Sequence, residues 1–352
     1  MLGNKQNSIL IIKLLVFHYI KPVFSMPALY YIEVSMKKIA ILDTGVGASV
    51  DDFSGLHVKK SLDFTRVDFN ELNNGLDDNG HGTTCAKIIL NNANKSEIYS
   101  FKVLDKNRCG KISDLYAALQ YLLTQDVDIV NMSLAFSNDC YTEKIRIVCE
   151  KLAKQGKIIV ASVGRYENRP FPASFNSVLG VQGEEFGSDE DFIYDPDAEI
   201  QITADDAPVF TEWKKDEIFI LGGTSKAAAL MSGKIAKWDN NIPQRLREAS
   251  GMHTKSKDKS DNFVCTKDKH HIHDQVVLKE IVKLIPCDIE YKKNLYNKRL
   301  DDVPFRLGKH DYERIINSLL RQFELQLPGY VPLSNIFDSI YTLEEFVRRY
   351  RI

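Results

Sequence analysis

K-I-A-I-L-D-T-G, residues 38–45, is a short apolar run that ends on a carboxylate and a turn. Ile39 to Leu42 do not alternate with polar residues, and Asp43-Thr44-Gly45 stops them abruptly. That pattern reads as a strand buried on both faces, the habit of parallel sheets covered by helices. Open α/β sheets place their chemistry at the carboxyl ends of such strands, so Asp43 is the first candidate functional residue. Working outward, strand and helix patterns take turns. Lys102–Leu104 and a turn at Asp105–Gly110 precede Ile112–Thr124, where Leu115, Ala118, Leu119, Leu122 and Leu123 recur with a helical period. Asp126–Leu134 reads as the next strand, Tyr141–Gln155 as a helix, and Ile158–Ser162 and Val178–Val181 as strands. The alternation predicts an α/β fold, a parallel sheet flanked by helices on both faces.

Two further stretches repeat the logic of an exposed reactive group at the start of an element. In D-D-N-G-H-G-T, residues 77–83, His81 lies between Gly80 and Gly82, and Thr83–Leu90 reads as a helix. In G-G-T-S-K-A-A-A, residues 222–229, Ser225 opens a strong helix former, where the positive end of the helix dipole favours an attacking oxygen. Singly, these are a turn Asp, a helix-capping His and an N-cap Ser. Together they are the members of a proteolytic triad in the order Asp, His, Ser, which separates the subtilisin arrangement from those of chymotrypsin and the α/β-hydrolases.

On these motifs the chain resembles the subtilisin-like (subtilase) serine peptidases, over roughly Met36 to Trp238. The N-M-S-L segment at 131–134 and F-P-A-S-F at 171–175 also look like the family's. The resemblance implies a serine endopeptidase acting on a peptide or protein, with Asp43, His81 and Ser225 catalytic and no organic cofactor. It further implies that Ser133, Leu134, Ala135 and Gly164 line the cleft that holds an extended substrate. Two positions depart from the pattern. The family's A-G-N becomes Val163-Gly164-Arg165, so Arg165 stands where an oxyanion-donating Asn is expected. Loss of that donor costs on the order of a hundred- to a thousand-fold in turnover, a figure that comes from subtilisin itself. Arg165 supplies the donor through its guanidinium, Asn168 folds back to supply it, or the site is weak. The family's G-T-S-M-A-A-P becomes G-T-S-K-A-A-A, and Lys226 is read as a side chain reaching out to solvent.

The 352 residues suffice for one large α/β domain with an appendage, and 44% hydrophobic and 27% charged residues describe an ordinary globular chain. A net charge of −2 gives no footprint for nucleic acid or an anionic membrane. The six cysteines form no C-x-x-C pair, which suggests a reducing compartment, and Cys85 reads as a buried free thiol. The expected location is therefore cytoplasmic. Residues 1–35 are read as a leader or extension that is neither a prodomain nor a stable membrane span. Ile9–Phe24 is broken by Lys13, His18, Lys21 and Pro22, and its signal-like features keep secretion as the alternative.

The peptidase domain is expected at 36–250, a polar linker at 251–275 and a helical module at 276–352. Between Glu184 and Asp206 lie ten carboxylates, read as a solvated loop and strand edge, with a structural Ca²⁺ as the sharper alternative. Cys265, His270, His271 and His273 are read as polar linker residues; their spacing matches no metal site. In the C-terminal module, Val276–Leu284 and Asp311–Phe323 have helical periods, Ser334–Phe337 reads as a short helix, and Thr342–Tyr350 reads as a helix opened by a Thr342-x-x-Glu345 capping box. This pattern looks like the latter half of an acyl-carrier bundle without its phosphopantetheine-bearing D-S-L, so the module would either dock a partner and carry no load or be a generic helical cap. Two alternatives follow: a catalytically weak or inactive peptide-binding relative, and a dedicated precursor-peptide maturation peptidase.

Overall fold

Along Lys38–Asp43 (β1) successive side chains enter two different cores, Ile39 and Ile41 one, Ala40 and Leu42 the other. A computed structural model of the chain describes residues 36–66, 75–164, 170–251, 274–285, 300, 307–334 and 336–352. Residues 1–35, Arg165, Asn168 and the Cys265 and His270–His273 cluster lie outside the described residues.

After β1 come α1 (Asp52–Gly55), β2 (Val58–Asp63), α2 (His81–Asn92), β3 (Glu97–Lys102), α3 (Ile112–Leu122), β4 (Ile129–Met132), α4 (Thr142–Lys154) and β5 (Ile158–Ser162). Then follow β6 (Leu179–Glu184), β7 (Phe192–Tyr194), β8 (Ile202–Asp205), β9 (Val209–Lys214), β10 (Glu217–Leu221), α5 (Thr224–Ala236) and α6 (Ile242–Ala249). The C-terminal region holds α7 (Gln275–Leu284), α8 (Lys309–Phe323), β11 (Val331–Pro332) and α9 (Ile340–Tyr350).

The main sheet runs β2-β3-β1-β4-β5-β6-β8-β7, with every pairing parallel except the antiparallel β7–β8 edge. One face buries Ile39, Ile98, Ile129 and Val160 against α2 and α5. The other buries Leu42, Phe101, Val130 and Ile159 against α3 and α4. Helices therefore cover both faces, as the unbroken apolar strands require. β1 sits between β3 and β4, so its C-terminal Asp43 emerges near the middle of the sheet.

The antiparallel sheet β10-β9-β11 goes beyond the elements expected from sequence. Both of its faces are covered. Val209 and Leu221 belong to the core of α2 and α5, while Phe210, Ile218 and Ile220 belong to a second core with α7, α8 and α9. The boundaries at 250 and 276 follow composition. In space, the C-terminal helices close on this hairpin, and residues 36–352 form one compact unit.

Two local expectations are corrected. Of Ser334–Phe337, expected as a short helix, the described residues 334, 336 and 337 form turns, and Ile336 and Phe337 are buried. The cap of α9 is not Thr342 but Ser339, whose hydroxyl accepts the Thr342 N–H at 3.3 Å while Thr342 Oγ1 accepts the Ser339 N–H at 3.0 Å. Thr342 takes the reciprocal role in the capping box, its hydroxyl accepting the N–H that a Glu or Gln side chain usually takes. Among the described residues no helix is long and apolar enough to cross a membrane.

Candidate active site

Asp43 is fully buried, and its Oδ1 accepts the Thr44 N–H at 2.7 Å and His81 Nδ1 at 2.7 Å. A carboxylate can only accept, so Nδ1 carries the proton and Nε2 faces away from Asp43. Asp43 Oδ2 is buried without a hydrogen-bond partner among the described residues.

The approach of α2 to β1 depends on glycine. A Cβ on Gly82 would lie 2.1 Å from the Gly45 carbonyl oxygen. Gly80 has φ near 100° and abuts the Trp213 and Phe219 rings, each 2.9 Å from where its Cβ would be. The hub of this turn is Asp77, 3% exposed. Its Oδ1 accepts Thr44 Oγ1 at 2.8 Å and the N–H groups of Asn79 and Gly80 at 2.9 Å. Its Oδ2 accepts the Thr83 N–H at 2.9 Å and the Thr83 hydroxyl at 2.6 Å. Thr44 Oγ1 in turn accepts the Gly82 N–H at 3.0 Å, so one carboxylate ties the exit of β1 to the start of α2. Burial lifts the Asp77 carboxyl above the ordinary value against the pull of these donors. Sequence reading passed over Asp77; the signal was a carboxylate four residues before His81 in the quoted motif.

His81 is 3% exposed. Phe219 from β10 meets its ring edge to face at 6.1 Å, and the buried Cys85 Sγ lies 3.9 Å from Nδ1. Burial is the largest single influence and lowers the imidazole pKa, but the Asp43 charge, Cys85 and the hydrogen bonds to both together outweigh it and hold His81 well above 6.5. Burial also raises the Cys85 thiol and keeps it neutral. Among the described residues, Asp43, His81 and Cys85 are the group of metal-ligand types gathered within 4.8 Å, and all three belong to this buried corner.

Ser225 lies in the first turn of α5, just after Gly223 with φ 74°. Its hydroxyl donates to the Ser133 carbonyl at 3.2 Å, and Ser133 Oγ donates back to the Ser225 carbonyl at 3.1 Å. Asn131 Nδ2 donates to Ser133 Oγ at 3.2 Å and Ser232 Oγ donates to Asn131 Oδ1 at 2.9 Å, a satisfied polar network that locks α5 to the end of β4. Thr224 Oγ1 adds a bond to the Val163 carbonyl at 2.9 Å.

A cleft of about 860 Å³ has both His81 and Ser225 in its wall. Ser133, Leu134, Ala135 and Gly164 line it, and Leu104, Ile112 and Leu115 extend it with apolar surface. The arrangement can hold an extended chain beside an imidazole and a hydroxyl.

Lys226 does not reach solvent. It is fully buried, with its ammonium paired to Asp189 and, at 2.6 Å, to Asp205 Oδ2. Lys234 likewise meets Glu190 at 2.6 Å. Part of the acidic run is thus spent on lysines of α5, which a buried ammonium requires.

The subtilase family model matches residues 36–259. A thermostable alkaline protease of Halalkalibacterium halodurans is 26% identical over 234 residues, 60% of this chain and 62% of that protein. The minor extracellular protease Epr of Bacillus subtilis is 31% identical over 156 residues, 41% of this chain and 23% of that protein. The major intracellular serine protease of Bacillus subtilis is 27% identical over 216 residues, covering 56% and 67% respectively. The chain therefore spans less than two thirds of the first two relatives. Among solved structures, sphericase superposes with a TM-score of 0.50 at 25% identity, over 58% of this chain and 77% of its own.

Proposed function

This chain belongs to the subtilase family, and from that premise we propose that it is a serine endopeptidase working through Asp43, His81 and Ser225. The observation that carries the reading is the 2.7 Å Asp43–His81 bond at the wall of the cleft that also holds Ser225. In the resting chain the Ser225 hydroxyl donates to Ser133. Acylation begins when it turns to His81 Nε2, which takes its proton as Oγ attacks the scissile carbonyl. Asp43 holds the tautomer and steadies the imidazolium. The Ser225 N–H, in the first turn of a helix, donates to the developing oxyanion, with Arg165 or Asn168 as the second donor. His81 then protonates the leaving amine, and water drawn through the same imidazole releases the acyl group. An extended substrate lies along Ser133–Ala135 and past Gly164, and the absence of a C-x-x-C pair among the six cysteines of the sequence favours a cytoplasmic setting.

The test is hydrolysis of an unfolded protein substrate by the full chain and by Ser225→Ala, His81→Ala and Asp43→Asn. Cleavage by the parent and its collapse by about a thousand-fold or more in each variant is expected. Cleavage that survives Ser225→Ala would show that another site is responsible.

A further inference from the structure

Tyr330 leads into β11, beyond the last residue of the family match, yet a chain of bonds joins it to the turn that presents Ser225. Its hydroxyl donates to Asp189 Oδ2, and Asp189 Oδ1 takes the Lys226 ammonium. The same ammonium reaches Asp205 Oδ2 at 2.6 Å. Asp205 pins its surroundings, accepting the N–H groups of Phe186 at 2.9 Å, Gly187 at 3.0 Å and Ala207 at 3.2 Å. Between them, the Asp206 carbonyl accepts the Gly223 N–H at 2.9 Å, two residues before Ser225. Lys226 and Asp205 are 0% and 2% exposed, so the bond between them acts where it is strong and where a missing partner is costly; the Asp189 side chain, which joins Tyr330 to Lys226, is 26% exposed. Burial and the Asp189 charge push the Tyr330 phenol far above its ordinary value, which keeps it a donor.

We propose that Tyr330 is a positioning residue for Ser225, through which the C-terminal region fixes the nucleophile's turn by way of Asp189 and Lys226. The proposal rests on the peptidase reading for its effect on turnover, but the hold on the turn exists without it. A contact that merely glued the tail down would change stability alone. This one ends on the residue next to the nucleophile, and a misplacement of about 1 Å there costs up to about a hundred-fold in rate.

The experiment compares the full chain with Tyr330→Phe, which keeps the ring and removes the hydroxyl. Asp189→Asn serves as a second variant that keeps an acceptor for Tyr330 but weakens the grip on Lys226. Three quantities are read: kcat and KM on one peptide substrate, thermal midpoint, and hydrogen exchange of the Gly223–Lys226 amides. Both variants are expected to lower kcat by about ten-fold or more with KM within about two-fold, and to speed exchange at these amides while α9 exchanges as before. Unchanged kcat and exchange, or a loss of kcat matched by a loss of folded protein, would overturn the proposal. Should the parent cleave no peptide, the peptidase reading fails by itself. Faster exchange at 223–226 in Tyr330→Phe would then still support the hold, and equal exchange would refute it.

Discussion

At the scale of single residues, His81 and Lys226 are both bases buried against carboxylates. The Asp43 charge favours the imidazolium, and the protonated ring cannot accept the Ser225 proton. The log of kcat/KM is therefore expected to climb with pH along a limb whose midpoint lies above 6.5, as measured on a substrate that does not titrate there. A midpoint at or below 6.5 would contradict the influence of Asp43. The same linkage gives the sign for stability: with the folded pKa raised, the His81–Asp43 contribution is complete below pH 6.5 and fades as pH rises through the folded value. Asp189 and Asp205 converge on the Lys226 side chain. Replacing it by Met, the residue of the family pattern, strands Asp205 in the interior and is expected to cost about 3–5 kcal/mol in denaturant unfolding. Adding Asp205→Asn should recover much of that, because the amide oxygen still accepts from the backbone. A cost below about 1 kcal/mol for Lys226→Met alone would mean that the pair opens to water.

At the scale of elements, the turn before α2 is the joint on which the site depends. Gly80 combines a positive φ with direct contact to Trp213 and Phe219, so Gly80→Ala is expected to strain the backbone and push the hairpin away from His81. Turnover should fall by at least about ten-fold, with a drop in thermal midpoint that Gly156→Ala, where a Cβ meets nothing within 4 Å, does not share in full. Equal effects of the two would argue that only the φ penalty matters. Much of this level could be read in advance. β1, α2, α3, α4 and β5 announce themselves through apolar runs and helical periods, because each faces a core in the ordinary way. What could not be read was the β9–β10 hairpin. Its apolar residues divide between two cores as those of β1 do, but that the second core is built by the C-terminal helices is visible only in the fold, and the contact of Phe219 with His81 was hidden with it. The cap of α9 was misplaced for a simpler reason: Ser339 and Thr342 both suit a cap, and only the fold decides which hydroxyl comes first.

At the scale of the whole molecule, residues 36–352 share cores that composition divides. Phe346 of α9 is fully buried and meets Phe210 of β9 at 5.8 Å, edge to face. Phe346→Ala is expected to cost about 3–5 kcal/mol, and to lower a single unfolding transition seen alike by tryptophan emission and by far-ultraviolet dichroism. Two separated transitions would show the helical region unfolding independently. The long-range ties behind this coupling, such as Lys226 to Asp189 to Tyr330, join residues far apart in the chain, and no local pattern encodes them. Asp43, His81 and Ser225 stand out as candidates because each stands in a short motif at an element end; the pairing of Asp43, at the end of β1, with His81 of α2 needed coordinates.

The central claim, that Ser225 is a nucleophile activated by His81 and Asp43, is tested most directly by reacting the full chain with a fluorophosphonate and locating the adduct by mass spectrometry. The account predicts a single phosphonylated residue, Ser225, labelled faster as pH rises through the His81 midpoint and slowed by at least about a thousand-fold in His81→Ala. A folded protein in which Ser225 stays unmodified, or is modified at the same rate without His81, would contradict it.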